Sequence, residues 1–361
     1  MGRIAIFLTS MPIGGAERIA LNLSSGLVEQ GHSVDLVLVD ASGPLLAELH
    51  NNINIIDLSA SRVATSIRPL QQYLTKESPD VLYSMLTECN IAAVISNRLA
   101  ASDCRLVLSE HNTPTVSAEG KKDRILLRLA GITYPYADHI VAVSRGVKND
   151  LINVVDLSAE YVSVIHNPID VDRIQQEARE PVEHEWLVDE STPVILSAGR
   201  HAPQKGFDTL LRAFARLENL DTRLLLLGEG TETKRLKDLA VTLGVANRVD
   251  FPGFVDNPFK YMAKADIFVL SSWYEGFGNV LIEAMATGCP VVATDCPSGP
   301  SEILEGGTYG PLVPVKNEKM MSESIKDVLQ DPIDRSALIS RANDFSIDKA
   351  SKKYERVLFS L

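Results

Sequence analysis

Apolar and polar positions along the 361-residue chain fall into short, β-branched runs separated by longer stretches with helical spacing. In the first half the runs predict strands at residues 4–8, 34–39, 53–58, 81–85, 106–109, 140–143 and 162–165. Between the first two, Ile19, Leu23 and Leu27 recur at one-turn intervals, as on the buried face of a helix. Strands alternating with helices predict βαβ units and a parallel sheet. The pattern breaks over residues 172–192, which are polar and rich in Glu and Gln, and restarts after Pro193 with strands at 194–197, 224–227, 249–251, 267–270, 291–293 and 312–315. The length also suits two domains rather than one. The expected architecture is therefore α/β, with two doubly wound parallel-sheet domains, residues 1–171 and 172–345, facing a cleft. Residues 346–361 read as a terminal helix that returns to the first domain.

Composition narrows the function more than the fold. An apolar fraction of 45% and a charged fraction of 23% are those of an ordinary globular chain, which excludes disorder and fibrous repeats. The longest apolar runs are strand-length, too short to span a bilayer. The run at 4–8 is too short for the core of a signal peptide and has no small-residue cleavage site after it, so the expected location is the cytoplasm. Cys89, Cys104, Cys289 and Cys296 are scattered without metal-ligand or redox spacing and read as reduced, buried small hydrophobes. The net charge of −12 argues against nucleic acid. It is evenly spread, since residues 1–180 hold 15 basic and 21 acidic side chains, a net of −6, leaving −6 for the rest.

Candidate chemistry sits where strands end. Gly14 and Gly15 lie at the first strand-to-helix turn, where the backbone can approach a ligand and helix N–H groups face it. A plain tight turn reads equally well there. After the strand at 194–197, Gly199, Arg200, Lys205 and Gly206 make a glycine-bounded loop with two cations, ahead of an amphipathic helix that Asp208 is expected to cap. Arg offers a bidentate fork and Lys a point charge, a pairing that suits a diphosphate better than it suits two solvated surface cations. Gly228 and Gly230 begin like a dinucleotide fingerprint, with Asp250 near the ribose-acid position, but Thr233 stands where the third glycine belongs, so nicotinamide binding is a weak reading. The most informative segment carries Glu275, Gly276, Phe277, Gly278 and Asn279, then Glu283 and Gly288. Asn279 is expected to cap a short helix that Gly288 ends. Glu275 then lies in a loop above the sheet and Glu283 on the second helical turn, so two acids at two depths can bind sugar hydroxyls.

These residues resemble the retaining glycosyltransferases of family 4, with the GT-B fold of two Rossmann-like domains. The resemblance covers nearly the whole chain. It rests on Gly14 and Gly15, Ser109-Glu110-His111, Ser144, the His166-Asn167-Pro168-Ile-Asp170 segment, Arg200 with Lys205, and the E-x7-E motif of Glu275 and Glu283. It implies that the first domain binds an acceptor and the second a nucleotide-sugar donor. Arg200 and Lys205 would hold the donor diphosphate, Glu275 with the backbone of Gly276, Phe277, Gly278 and Asn279 the donor sugar, and Glu283 the ribose. Val255 would meet the base through its backbone, and His111 would approach the reacting sugar. His201 departs from the family, which often has an aliphatic residue there. Asp170 and Asp172 spell D-x-D, the metal motif of the other glycosyltransferase fold. Here Asp170 belongs to a strand-end segment and the two cations already supply positive charge, so no metal and no cofactor are expected.

The activity so implied is front-face transfer from a UDP-sugar to a glycan or lipid-linked acceptor. The run from Thr294 through Gly299 and Pro300 to Glu302 resembles members that use UDP-hexoses or UDP-N-acetylhexosamines for surface polysaccharides. A nucleotide-sugar epimerase of the same fold and a non-catalytic sugar-binding module are the alternatives. Residues 121–133 read as a helix with Lys121, Arg124 and Arg128 on one stripe and Ile125, Leu129 and Ile132 on the next. The plain reading puts the apolar stripe in the core and the cations in water. The other has the basic stripe meet an anionic membrane or a lipid-linked diphosphate.

Overall fold

The computed structural model describes residues 1–117, 120–189, 191–217 and 220–359 of the protein. The chain divides into two compact units, one of Met1–Ile169 with Ser346–Leu361 and the other of Asp170–Phe345. Among the described residues, the first unit holds seven strands: β1 (Arg3–Leu8), β2 (Ser33–Leu38), β3 (Ile53–Asp57), β4 (Val81–Met85), β5 (Arg105–Glu110), β6 (His139–Ala142) and β7 (Val162–Val164). The second holds six: β8 (Val194–Ala198), β9 (Arg223–Leu227), β10 (Val249–Gly253), β11 (Ile267–Leu270), β12 (Val291–Thr294) and β13 (Leu312–Val313). Each strand lies where the hydrophobic pattern places it, with ends shifted by one or two residues.

Both sheets are parallel throughout. Their spatial orders are β3-β2-β1-β4-β5-β6-β7 and β10-β9-β8-β11-β12-β13. In the first, the chain winds outward from β1 to β3, then crosses back to lay β4 against the other side of β1. In the second it does the same with β8 and β11. Two connections therefore leave each sheet in opposite directions at one place, and a crevice opens above the carboxyl ends of those strands. Ligands of doubly wound sheets bind at such switch points.

Helices on both faces bury the inner strands, which is why β1, β4, β9 and β11 read as nearly unbroken apolar runs. Asp35 in β2 is a buried charge within the sheet. Arg3 Nε donates to its Oδ2 at 2.9 Å, the Tyr73 hydroxyl to the same oxygen at 2.5 Å, and the Asn54 amide to Oδ1 at 3.1 Å. A buried carboxylate is tolerable only with such a full set of donors.

The closing helix, Ile347–Phe359, belongs to the first unit and packs on the helix Gly15–Glu29. Gly26 makes the approach possible, because a Cβ there would lie 2.7 Å from Ile347 Cγ2 and from Ser351 Oγ. The contact is extended by Phe359 stacked on His32 at 4.8 Å and by Tyr354 set edge-on to Tyr83.

Two local expectations need correction. Asp208 does not cap its helix. Gly206 occupies the cap position at φ +60° and Asp208 lies inside the first turn of Phe207–Ala215, where its charge still favours the helix dipole. Likewise Gly278, at φ +98°, precedes the helix Asn279–Ala286, and Asn279 is its first residue. Both starts need a left-handed backbone that a side-chain cap cannot supply. The polar stretch after residue 171 begins as packed structure. The helix Val171–Glu177 lies in the second unit, with Gln175 Nε2 donating to Ala286 O at 3.4 Å and Arg173 over the Phe259 ring.

Candidate functional site

In the second unit the candidate residues gather at the switch point between β8 and β11. The loop after β8 ends in a single 3-10 turn, Pro203–Lys205, and then Gly206. A Cβ at Gly206 would sit 2.2 Å from Ser271 O, so only glycine lets this loop touch the one leaving β11. Four hydrogen bonds then join the two loops. Gln204 Nε2 donates to Tyr274 O at 2.9 Å, Trp273 N to Gln204 O at 2.8 Å, Ser271 Oγ to Lys205 O at 2.8 Å, and Lys205 Nζ to Glu275 Oε1 at 2.6 Å. Ser272 Oγ also donates to Glu275 Oε1, at 2.6 Å. Glu275 is only 8% exposed. Lys205 and Glu275, treated in sequence as ligands for different parts of a donor, are thus an ion pair.

Arg200 differs. Its side chain is exposed, and among the described residues its guanidinium has no ion pair. Gly276, Gly278 and Asn279 carry the backbone from Glu275 into the next helix, whose first N–H groups lie at the same carboxyl edge of the sheet. Phe277 offers only backbone, since its ring is buried edge-on to Phe345 at 5.6 Å. Glu283 is half-buried on the second turn of that helix, and Val255 is half-buried just beyond β10. Gly228 serves packing, because a Cβ there would lie 2.1 Å from Gly199 O.

The structure settles two of the ambiguous sequence features. His201 is fully buried, edge-on to Phe207 and Phe251, with Nδ1 2.9 Å from Thr233 Oγ1. It packs the loops after β8 and β9 together and does not face solvent. Asp250, the would-be ribose acid of a nicotinamide site, accepts from His184 Nε2 at 2.9 Å. The D-x-D pair is also split in role. Asp170 accepts from Arg173 N at 3.0 Å as a helix cap, while Asp172 is exposed in the first turn. Among the described residues no group of three or more His, Cys, Asp or Glu could hold a metal ion. The four cysteines are free and buried, and burial pushes their thiols up.

The first unit holds the remaining candidates. Gly14 is extended and Gly15 opens the helix with nothing within 4 Å of where a Cβ would stand, so its contribution is open access to the N–H groups. His111 follows β5, with Nε2 3.0 Å from Ser109 Oγ. Burial pushes its imidazole down to about 4. Its neighbour Glu110, to which the sequence assigned no role, is 2% exposed. Its Oε1 accepts from Thr87 Oγ1 at 3.0 Å, from Asn90 Nδ2 at 3.2 Å and from the Tyr134 hydroxyl. Burial, only partly offset by these donors, pushes the carboxyl up to about 7.

The helix Lys121–Thr133 forms as expected, with Lys121, Arg124 and Arg128 exposed. Its apolar stripe is not in the core. Ile125, Leu129 and Ile132 are 56%, 39% and 66% exposed, and the packed side is instead Ala130 and Thr133. Periodicity finds a stripe but does not say which of two neighbouring stripes meets the core. Exposed Leu99 and Tyr136, with Arg98 over the Tyr136 ring at 4.1 Å, belong to the same unit. Among the described residues no helix is long and apolar enough to cross a membrane.

Residues 13–173 match the model for Glycosyltransferase Family 4 and residues 178–345 that for Glycosyl transferases group 1. The chain is 32% identical over 358 residues, 95% of its length and 94% of the relative's, to the N-acetylgalactosamine-N,N'-diacetylbacillosaminyl-diphospho-undecaprenol 4-alpha-N-acetylgalactosaminyltransferase of Campylobacter jejuni. It is 27% identical over 267 residues, 71% of its length and 67% of the relative's, to the lipopolysaccharide 1,6-galactosyltransferase of Salmonella typhimurium. Its fold matches that of Anabaena HepE in complex with UDP-glucose, with a TM-score of 0.83 at 22% identity and all of both chains covered. The chain belongs to the family 4 glycosyltransferases and has their GT-B fold. It is a glycosyltransferase.

A titration tests the environment of His111. Its ring nitrogens, followed in nitrogen–proton correlation spectra, should show a midpoint near 4. Between that value and the ordinary one of about 6.5 the folded protein holds fewer protons at His111 than the unfolded chain, so stability falls as pH drops through this window. A midpoint above about 6 would mean that the ring is solvated.

Proposed function

We propose that the protein is a retaining, metal-independent transferase that moves a hexose or N-acetylhexosamine from a UDP-sugar to a glycan or lipid-linked acceptor. The observation that carries this reading is the Lys205–Glu275 pair at the β8/β11 switch point, with the exposed Arg200 and a helix N-terminus at the same sheet edge. Arg200, Lys205 and the helix N–H groups together offer a dianion what a metal would otherwise supply. The roles of Asp170 as a helix cap and of Asp172 as an exposed first-turn acid also favour a reaction without metal or cofactor. The names of the relatives support the substrate classes, since one acts on a diphospho-undecaprenol acceptor, another is a lipopolysaccharide galactosyltransferase, and a structural neighbour holds UDP-glucose.

In this reading Arg200 and Lys205 hold the diphosphate, Glu275 and the backbone of Gly276, Phe277, Gly278 and Asn279 the sugar, Glu283 the ribose, and the Val255 backbone the base. Gly14 and Gly15 leave room for the donor at the first unit, and neutral His111 serves the reacting sugar as a hydrogen-bond partner. The acceptor oxygen attacks the anomeric carbon on the face from which UDP departs. The bond from that carbon to the phosphate oxygen breaks, and this oxygen takes the acceptor's proton. No side chain need act as base, so catalysis is positioning plus stabilisation of the leaving diphosphate. The basic and exposed apolar stripes of Lys121–Thr133 hold an otherwise acidic protein at the anionic cytoplasmic face of the membrane, where a lipid-linked acceptor lies.

Two experiments test the reading. Arg200→Ala and Lys205→Ala should each lower turnover by roughly 10²–10³ or more, as does loss of one preorganised donor to a developing anion. Activity should also survive excess EDTA. Near-normal turnover in either variant, or loss in EDTA restored by Mn²⁺ or Mg²⁺, contradicts the assignment. For the membrane, each cation near an anionic surface contributes about 1 kcal/mol. Co-sedimentation should therefore need anionic vesicles, fade with salt, and be lost when Lys121, Arg124 and Arg128 are all changed to Glu. Wild-type binding by that triple variant, or no binding by the wild type, removes the helix from this role.

A further inference from the structure

The first sheet has a switch point of its own, between β1 and β4, and a cavity of about 230 Å³ opens there. Thr9 lines it from the end of β1, Leu86 and Thr87 from the end of β4, and Glu110 from the end of β5. Leu126 and Tyr134 close it from the side of the helix Lys121–Thr133 and the turn that follows it. The cavity thus joins apolar walls to polar groups, among them the half-buried Glu88 and Asp123 and the buried Glu110, a combination that fits the apolar face and hydroxyl rim of a sugar ring. The backbone there is held tightly. Leu86 stands at φ +75°, a conformation L-residues rarely adopt, directly before the helix Thr87–Ala100 that brings Thr87 and Asn90 to the acid.

Glu110 is not fully satisfied by its surroundings. Oε1 takes the Thr87, Asn90 and Tyr134 donors, whereas among the described residues Oε2 has only a 3.3 Å contact with the same Thr87 hydroxyl. A buried carboxylate oxygen with spare acceptor capacity in a cavity wall is a place for a ligand's hydroxyl. We propose that this cavity is a saccharide subsite for the acceptor, and that Glu110 determines which acceptor is taken by accepting a hydrogen bond from one sugar hydroxyl. The assignment rests on reading the first unit as the acceptor domain.

A consequence follows from the ionisation of Glu110. The carboxyl is pushed up to about 7 by burial, so the accepting form is gained or lost near neutrality. Three neighbours whose ionisation burial shifts keep one charge through that range. Tyr134 and Cys89 are pushed up and keep their protons, and His111, pushed down to about 4, stays neutral. Glu88 is paired with Lys122, and Asp123 accepts from Gly120 N. Glu17, in the first turn of Gly15–Glu29, is also pushed up by burial but does not line the cavity.

The test uses the full chain with UDP present and a panel of methyl glycosides of glucose, galactose, N-acetylglucosamine and N-acetylgalactosamine, followed by saturation-transfer NMR. At least one glycoside should bind, with affinity falling about tenfold between about pH 8 and about pH 6, as the ionised fraction of a group titrating near 7 does. Glu110→Gln keeps an oxygen for Thr87, Asn90 and Tyr134 and places an NH₂ donor where Oε2 accepted. It should bind that glycoside at least tenfold more weakly than the wild type does at about pH 8, with no pH dependence. Ala130→Leu fills the cavity and should abolish binding at both pH values with Glu110 in place. UDP affinity should be unchanged in both variants, which separates this proposal from the reading of the second unit; a wild type that binds no UDP sinks that reading instead. Wild-type affinity and pH profile in Glu110→Gln overturn the inference, as does a panel in which no glycoside binds in a way that Ala130→Leu removes.

Discussion

The contact on which the second unit's site depends is the 2.6 Å ion pair between Lys205 and Glu275. The two residues lie 70 positions apart, on loops that leave neighbouring strands in opposite directions, and both are largely out of solvent. A nearly buried carboxylate is costly without a partner, and so is a cation beside it, so each fixes the other. Ser272, Gln204 and the absence of a side chain at Gly206 hold the loops close enough for the pair to form. The pair also presets chemistry. In the proposed reading, a diphosphate beside Arg200, which has no ion pair among the described residues, would meet a lysine already oriented. Little reorganisation is left for the reacting state, which is the condition under which fixed charges accelerate a reaction most.

The same constraint, a parallel sheet that reverses its winding direction, shapes the first unit differently. Its switch point carries a buried acid, Glu110, surrounded by neutral donors, with the Glu88–Lys122 pair on the more exposed side. One sheet edge therefore suits an anion and the other an uncharged ring with hydroxyls. The difference follows from which side chains end β8 and β11 on one hand and β1, β4 and β5 on the other; the two topologies are alike.

Strand positions were legible because strands buried on both faces must be apolar at nearly every residue, and β1, β4, β9 and β11 are. Candidate residues at strand ends were legible because doubly wound sheets bind ligands there. What spacing along the chain did not reveal was contact between distant segments. Nothing near Lys205 signals Glu275, nothing near Glu110 signals Tyr134, and nothing near His201 signals the Phe251 ring that packs against it. Helix starts were misread where glycine at positive φ replaced a side-chain cap, at Gly206 and Gly278. The helix Lys121–Thr133 was found with its correct bounds, yet the row Ile125, Leu129 and Ile132 was placed on the wrong side, because amphipathicity is a property of the helix and burial a property of its neighbours.

Amide hydrogen exchange with and without UDP, in metal-free buffer, tests the central claim most directly. If the nucleotide is bound at the switch point of the second sheet, amides of residues 199–206 and 271–283 should exchange more slowly with UDP present, while those of the strand Arg3–Leu8 should not change. Unchanged exchange in 199–206 and 271–283 under saturating UDP, or protection that appears only once a divalent metal is added, would contradict it.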